Sequence, residues 1–198
     1  GGSLYRVGAG KLSKVGSALA IDRVDNPRII DRAGSPAVVF SSGSETKMAW
    51  PEAEVWKASV LHSGTSSSIS TTESNGVTYI ASSDGEHISI SSITADGFVT
   101  AEVTEAFPRP YGVAIAARNN MLYLAVVESG TQLVRVYKAS ASNLTQWEHL
   151  GGIVVTSATA VGLTARDASL FCATVDTLDS PVGLRSYVLP SEAGGKPD

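Results

Sequence analysis

The sequence predicts an all-β fold: a small β-propeller of four blades, each with four antiparallel strands, in which an N-terminal strand closes the last blade. Three observations predict it. First, a strand-turn-strand pattern recurs at Ala37-Val38-Val39-Phe40, Val77-Thr78-Tyr79-Ile80, Met121-Leu122-Tyr123-Leu124 and Ser169-Leu170-Phe171-Cys172, with starts spaced by 40, 44 and 48 residues. Periods of this length mark units that are one small sheet each and must stack to bury both faces. Second, helical periodicity is almost absent while alternation is widespread. In Gln132 to Lys138, Leu133, Arg135 and Tyr137 share one face and Val134, Val136 and Lys138 the other. Third, turn dipeptides fall between the runs, among them Asn75-Gly76, Asp84-Gly85, Asp96-Gly97, Asn119-Asn120, Ser129-Gly130 and Arg166-Asp167.

Taken in order, Leu4 to Val7 and Lys11 to Val15 precede the first unit and supply the closing strand. The first blade lies near Ala18 to Leu61. It is the least regular: Asp22 to Arg32 interleaves acids and bases around Pro27 and reads as an exposed excursion. Glu52 to Ser59 is the best helical candidate, but Trp56 and Val55 suit a strand as well. The second blade uses Ser66 to Ser74, Val77 to Ser82, His87 to Ile93 and Phe98 to Ala106. Its first strand is nearly all Ser and Thr, which suits an innermost position where bulk cannot fit; a flexible linker is the competing reading. The third blade uses Tyr111 to Ala117, Met121 to Val127, Leu133 to Lys138 and Thr145 to Leu150. The fourth uses Ala158 to Thr164, Ser169 to Val175 and Gly183 to Leu189, and lacks a fourth strand of its own. Pairing with the N-terminal strand would remove the two free edges of a linear stack. The expected domain is therefore residues 1–190, with 191–198 as a disordered tail. A two-sheet sandwich is the alternative architecture, because it too has short, evenly spaced strands.

Composition excludes several functions. The 198 residues carry a formal charge of −4, which argues against nucleic acid as a partner, since phosphate binding needs a basic surface. No apolar run of about 18 residues exists, so no helical membrane span is expected. Cys172 is the only cysteine, so no internal disulfide and no cysteine-type zinc site can form, and its apolar setting reads as a small buried hydrophobe. Both the cytoplasm and secretion are compatible with this, with secretion slightly favoured. The start Gly1-Gly2-Ser3 is either a processed end or a remnant of cloning. Asn143-Leu144-Thr145 fits a glycosylation acceptor.

Leu133-Val134-Arg135-Val136-Tyr137, followed by Trp147 and Gly151-Gly152, is similar to the Arg-Val-Tyr strand and downstream Trp of fungal fucose-binding propeller lectins. Leu184-Arg185-Ser186-Tyr187 repeats the Arg-x-Tyr part 50 residues after Arg135. The other two units have no such Arg. Four blades also resemble hemopexin-like domains, whose repeated Asp-Ala-Ala openings are absent. The lectin resemblance implies a small repeat propeller that binds carbohydrate without catalysis.

No Gly-x-Ser-x-Gly elbow, Walker loop, dinucleotide fingerprint or His-Glu-x-x-His helix occurs. Ser44-Glu45-Thr46-Lys47 matches Ser-x-x-Lys formally but sits in a turn context without partner motifs. Glu86-His87 and Glu148-His149 cannot each close on one ion, because neighbours on a strand point to opposite faces. Asp22, Asp25, Asn26 and Asp31 offer hard oxygens with no calcium-loop spacing, so no metal or other cofactor is expected. A Trp or Tyr face stacked on a sugar ring, with an Arg donating to its hydroxyls, is the simplest saccharide site. Arg135 with Tyr137, Arg185 with Tyr187, Trp147 and Trp56 are the candidates; in the competing reading each Tyr packs between blades while each Arg reaches solvent or caps a neighbouring acid. A non-enzymatic binding module is thus expected, with a carbohydrate or protein surface as partner and a homo-oligomer possible. An interaction scaffold is the alternative, and an enzyme using channel acids such as Glu73, Glu102, Glu128 and Asp176 the third reading.

Overall fold

A computed structural model describes residues 2–8, 11–19, 23–53, 55–103, 109–128, 133–155, 158–166, 169–176 and 183–190. Every regular element in it is a strand. The first four-stranded sheet holds β3 (Asp25–Arg32), β4 (Ser35–Ser42), β5 (Glu45–Glu52) and β6 (Val55–Ser63) in sequence order. The second holds β7 (Ser68–Ser74), β8 (Val77–Ser83), β9 (Ile88–Thr94) and β10 (Gly97–Glu102); the third holds β11 (Pro110–Arg118), β12 (Met121–Glu128), β13 (Leu133–Ser140) and β14 (Glu148–Val154). The fourth has three strands, β15 (Ala158–Arg166), β16 (Ser169–Asp176) and β17 (Gly183–Pro190). All pairings are antiparallel neighbours in sequence, so each sheet is a meander, as the sequence predicts for a propeller blade. The four-sheet, all-β architecture follows the expectation, and the sandwich alternative is set aside.

Hairpin chemistry explains why these segments pair. Asn75 and Gly76 take positive φ of 53° and 74°, and Asn119 and Asn120 take 50° and 60°, the left-handed pair that matches strand twist. The two turns touch, with Asn75 Nδ2 donating to Asn120 Oδ1 at 2.6 Å. Ala33 adopts φ 50° before Gly34 in the equivalent turn of the first blade, where Asp31 Oδ1 accepts the Gly34 N–H at 2.6 Å. That turn has no Asn and escaped the sequence reading.

Two expectations are corrected. Asp25–Arg32 is a strand, not an excursion: a register shift between Asp25 and Arg28 absorbs Pro27, which has no N–H to donate, and positive-φ Asn26. Beyond it Ile30 is buried and Asp31 exposed, an ordinary half-buried alternation. Among the described residues the N-terminal strand does not pair with the fourth sheet. β1 (Gly2–Gly8) pairs with β2 (Lys11–Leu19) as a separate hairpin, and β2 lies against β5 and β6 of the first sheet. A hairpin between sequence neighbours closes only a short loop, whereas joining the termini would close a loop of nearly the whole chain. Glu52 to Ser59 falls on β5 and β6 rather than a helix. The expected tail 191–198, Ser129-Gly130, and the partners Asp22 and Asp167 lie outside the described residues.

The core is a series of sheet-on-sheet interfaces. Ile30, Val39 and Met48 of the first sheet meet Ile69, Ile80 and Ile93 of the second. Tyr79, Ala81 and Ile90 then meet Val113, Leu122 and Leu124 of the third. Tyr123, Ala125 and Val136 meet Leu170 and Cys172 of the fourth. Burial pushes the Cys172 thiol up to about 11 and raises the Tyr79 hydroxyl above its ordinary value. The folded chain therefore holds the Cys172 proton that an unfolded chain would release, and that contribution, complete below about pH 9, is lost as pH rises toward about 11. We expect native Cys172 to resist a thiol reagent at pH 8 and to react fully in denaturant; rapid reaction in the native state would contradict the closed interface between the third and fourth sheets.

Candidate functional site

The first strand of each sheet, β3, β7, β11 and β15, is an edge strand, paired on one side only. Edge strands leave a row of backbone N–H and C=O groups without ladder partners. All four line one funnel of about 430 Å³. It is walled by Ser67 to Thr71, by Tyr111 to Ile115 and by Thr159 to Leu163, with Asn26 and Arg28 on the fourth side. The Ser- and Thr-rich run is thus an innermost strand. Small side chains there let neighbouring strands approach closely enough for hydroxyls to act as surrogate ladder partners. Ser68 Oγ accepts the Val113 N–H at 3.1 Å, and Ser70 Oγ accepts the Ile115 N–H at 3.1 Å. Ser67 Oγ donates to Tyr111 O at 3.2 Å, and Asn26 Nδ2 donates to Ser66 O and Ser67 O, each at 3.1 Å. Ser70→Ala would leave the Ile115 N–H without its acceptor at a cost of about 1 kcal/mol. Faster hydrogen exchange at the Ile115 amide is the expected reading, and unchanged exchange would show that the hydroxyl does not hold that group.

The blades are also latched at the ends of their second strands. Ser41 Oγ donates to Ser66 O at 3.0 Å, and Ser83 Oγ donates to Pro110 O at 2.6 Å, each reaching the link into the next sheet. Pairing within the sheets puts Glu128 opposite Pro110 as Ser83 stands opposite Ser68. Glu128 is fully buried and lies 3.0 Å from the Nε of Arg135.

That contact locates the candidates of the sequence reading. Arg135 and Tyr137 stand opposite Val126 and Leu124 and share the face of the third sheet that meets the second. Arg185 and Tyr187 stand opposite Thr174 and Cys172, the matching positions of the fourth sheet, and Tyr187 packs against the interface with the third. The Arg-x-Tyr pair therefore recurs at matching positions of two sheets, with each Tyr at a sheet interface and Arg185 exposed. Tyr137 is 5 % exposed, its ring 5.1 Å from that of His149. Trp147 is 6 % exposed, and its Nε1 donates to Leu144 O at 2.9 Å. Trp56 is half-buried beside Phe40 and Ala49 of the first sheet. The structure thus places Trp147 in the same cluster as Tyr137, whose face Arg135 shares, puts Arg185 and Tyr187 together on the fourth sheet, and leaves Trp56 apart on the first. The funnel residues were legible only as a Ser-rich strand.

His87 faces two carboxylates, with Nδ1 3.7 Å from Asp84 and Nε2 3.8 Å from Glu102. Burial alone would raise the Asp84 carboxyl, but the His87 and Glu86 N–H groups and the His87 ring outweigh it and hold the pKa below the ordinary value. Among the described residues no group of three or more His, Cys, Asp or Glu is placed to hold a metal ion. No helix among them is long and apolar enough to cross a membrane.

No protein-family model matches the sequence, and no curated protein sequence does. Among solved structures the chain is similar to hydrazine synthase of Kuenenia stuttgartiensis, with a TM-score of 0.47 and 13% identity over 86% of this chain and 51% of that one. The chain spans about half the length of that protein. At this level the likeness bears on neither activity nor ligand, and no lectin family is matched.

Proposed function

We propose that this chain is a non-enzymatic binding module that takes a neutral, hydroxyl-rich ligand of saccharide type in the funnel between the four innermost strands. One observation carries the reading: the funnel is walled by hydroxyls and edge-strand backbone groups, with Arg28 as the charged side chain and half-exposed Tyr111 as the aromatic one among the described lining residues. Neutral donors and acceptors suit sugar hydroxyls, a Tyr ring offers a stacking face, and the guanidinium fork spans vicinal oxygens. The lectin resemblance supports the same ligand class, although Tyr137 and Trp147, which help to carry it, are buried between sheets. A glycan array probed with the folded protein is the test. Binding that is lost in Tyr111→Ala and Arg28→Ala, with unchanged melting temperature, is expected; silence across the array would overturn the reading. The interaction-scaffold alternative draws on a different surface, the outward face of the fourth sheet.

A further inference from the structure

Arg28 is exposed on the funnel wall, and its one hydrogen bond to a described residue is donated to Pro27 O at 3.0 Å. No carboxylate of its own strand balances it. Asp25 is taken by Arg23 at 2.6 Å, and Asp31 by the Gly34 N–H at 2.6 Å. A guanidinium left in this state binds carboxylate, sulfate or phosphate oxygens at least as readily as hydroxyls. Arg28 by itself would therefore favour an acidic sugar over a neutral one.

Asn26 reverses that preference. It holds a left-handed φ of 52° within the register shift beside Pro27, a conformation that Asn tolerates better than most side chains. Its Nδ2 donates to Ser66 O and to Ser67 O, each at 3.1 Å. Both hydrogens of the amide nitrogen are thereby used. Backbone carbonyls only accept, so the amide cannot turn over without setting oxygen against oxygen. Oδ1 is left as a fixed acceptor with no donor among the described residues, on the same side of the funnel as Arg28.

We infer that Asn26 is the specificity-determining residue of the funnel, a locked acceptor that admits neutral sugars and rejects anionic ones. The inference rests on the saccharide reading of this site. A hydroxyl satisfies both groups, because its hydrogen goes to Asn26 Oδ1 while its lone pairs accept from Arg28. Two adjacent ring hydroxyls can divide the same tasks. A carboxylate or sulfate oxygen carries lone pairs alone. Drawn in by Arg28, it would face Oδ1 acceptor to acceptor and leave that oxygen shielded from water and unpaired. A site built to hydrogen-bond a hydroxyl rejects a ligand that cannot supply it far more strongly than an apolar pocket rejects by size. The ligand class is thus a sugar with free neighbouring hydroxyls and no acidic group at the bound ring.

A glycan array printed in matched pairs tests this, with gluco-, manno- and galacto-oligosaccharides each beside oligomers of the corresponding uronic acid. The unmodified protein is expected to bind a neutral member at least about tenfold more tightly than its uronate counterpart. Asn26→Gly keeps the left-handed backbone while removing the acceptor. Neutral affinity should then fall, and the ratio should shrink to within about threefold because Arg28 is free to take the carboxylate. The melting temperature of Asn26→Gly reports the loss of its two anchors separately, and the ratio in the unmodified protein needs no variant. Silence across both sets would overturn the saccharide reading and this inference with it. Uronates bound as tightly as their neutral counterparts, or a ratio unchanged in folded Asn26→Gly, would overturn this inference and leave that reading standing.

Discussion

Replacing Arg135 by Ala is expected to cost about 3 kcal/mol of folding free energy, because it leaves the fully buried carboxylate of Glu128 without the guanidinium 3.0 Å away. For a chain of this length that corresponds to a melting temperature lower by about 6–12 °C. The size comes from desolvation rather than attraction: Arg135 keeps contact with water, Glu128 has none, and a buried carboxylate that loses its guanidinium costs far more than a lost surface pair. The double variant Glu128→Leu/Arg135→Met should recover most of the loss, since removing both charges removes the desolvation problem. Denaturant unfolding of the two single variants and the double gives the cycle. A loss below about 0.5 kcal/mol in Arg135→Ala would place the pair among surface ion pairs and contradict its burial. If Arg135 instead serves as a sugar contact, binding rather than stability would carry the effect.

A comparable loss is expected from Leu124→Ala. Leu124 is fully buried between the second and third sheets, with Leu122 and Val126 beside it on the same strand. Truncation removes the transfer free energy of three carbons and leaves a cavity that neighbouring strands, fixed by their ladders, cannot fill, for about 3 kcal/mol in total. Leu184→Ala, at a residue 77% exposed, should change the monomer's stability by less than about 0.5 kcal/mol. Urea unfolding of both variants at low protein concentration separates the cases. Equal losses would mean that the open face of the fourth sheet is covered in the monomer.

Much of the architecture was open to inspection before any coordinate. In the third blade the expected second strand, Met121 to Val127, differs from the observed one by a single residue, because alternation and an Asn-Asn turn agree there. The sequence predicts the fourth strand at Thr145 to Leu150, and it lies at Glu148–Val154 instead. There Asn143 Oδ1 takes the Thr145 hydroxyl at 2.9 Å and the Thr145 N–H at 3.3 Å, forming a side-chain turn that holds the segment out of the ladder. The strand at Asp25–Arg32 was hidden for a related reason: Pro27 and its charged neighbours mask a short alternation that a bulge makes usable. Arg135 and Tyr137 were legible as a same-face pair. Which side of the blade that face meets was not, because a period of two gives relative orientation within a strand and says nothing of the layer beyond it.

Period, alternation and turn chemistry by themselves determined that the chain forms small meander sheets in series, the second opening on a strand of Ser and Thr. These are local properties, decided by backbone sterics and by hydrogen bonding between neighbours in sequence. Only the tertiary structure decided that the N-terminal hairpin stays apart from the fourth sheet, that Glu128 is sealed beneath Arg135, that four edge strands share one funnel, and that Phe171 looks outward. Each of these depends on contacts between residues far apart in sequence, where burial comes from the stacking of whole sheets and no short stretch carries a record of its partner.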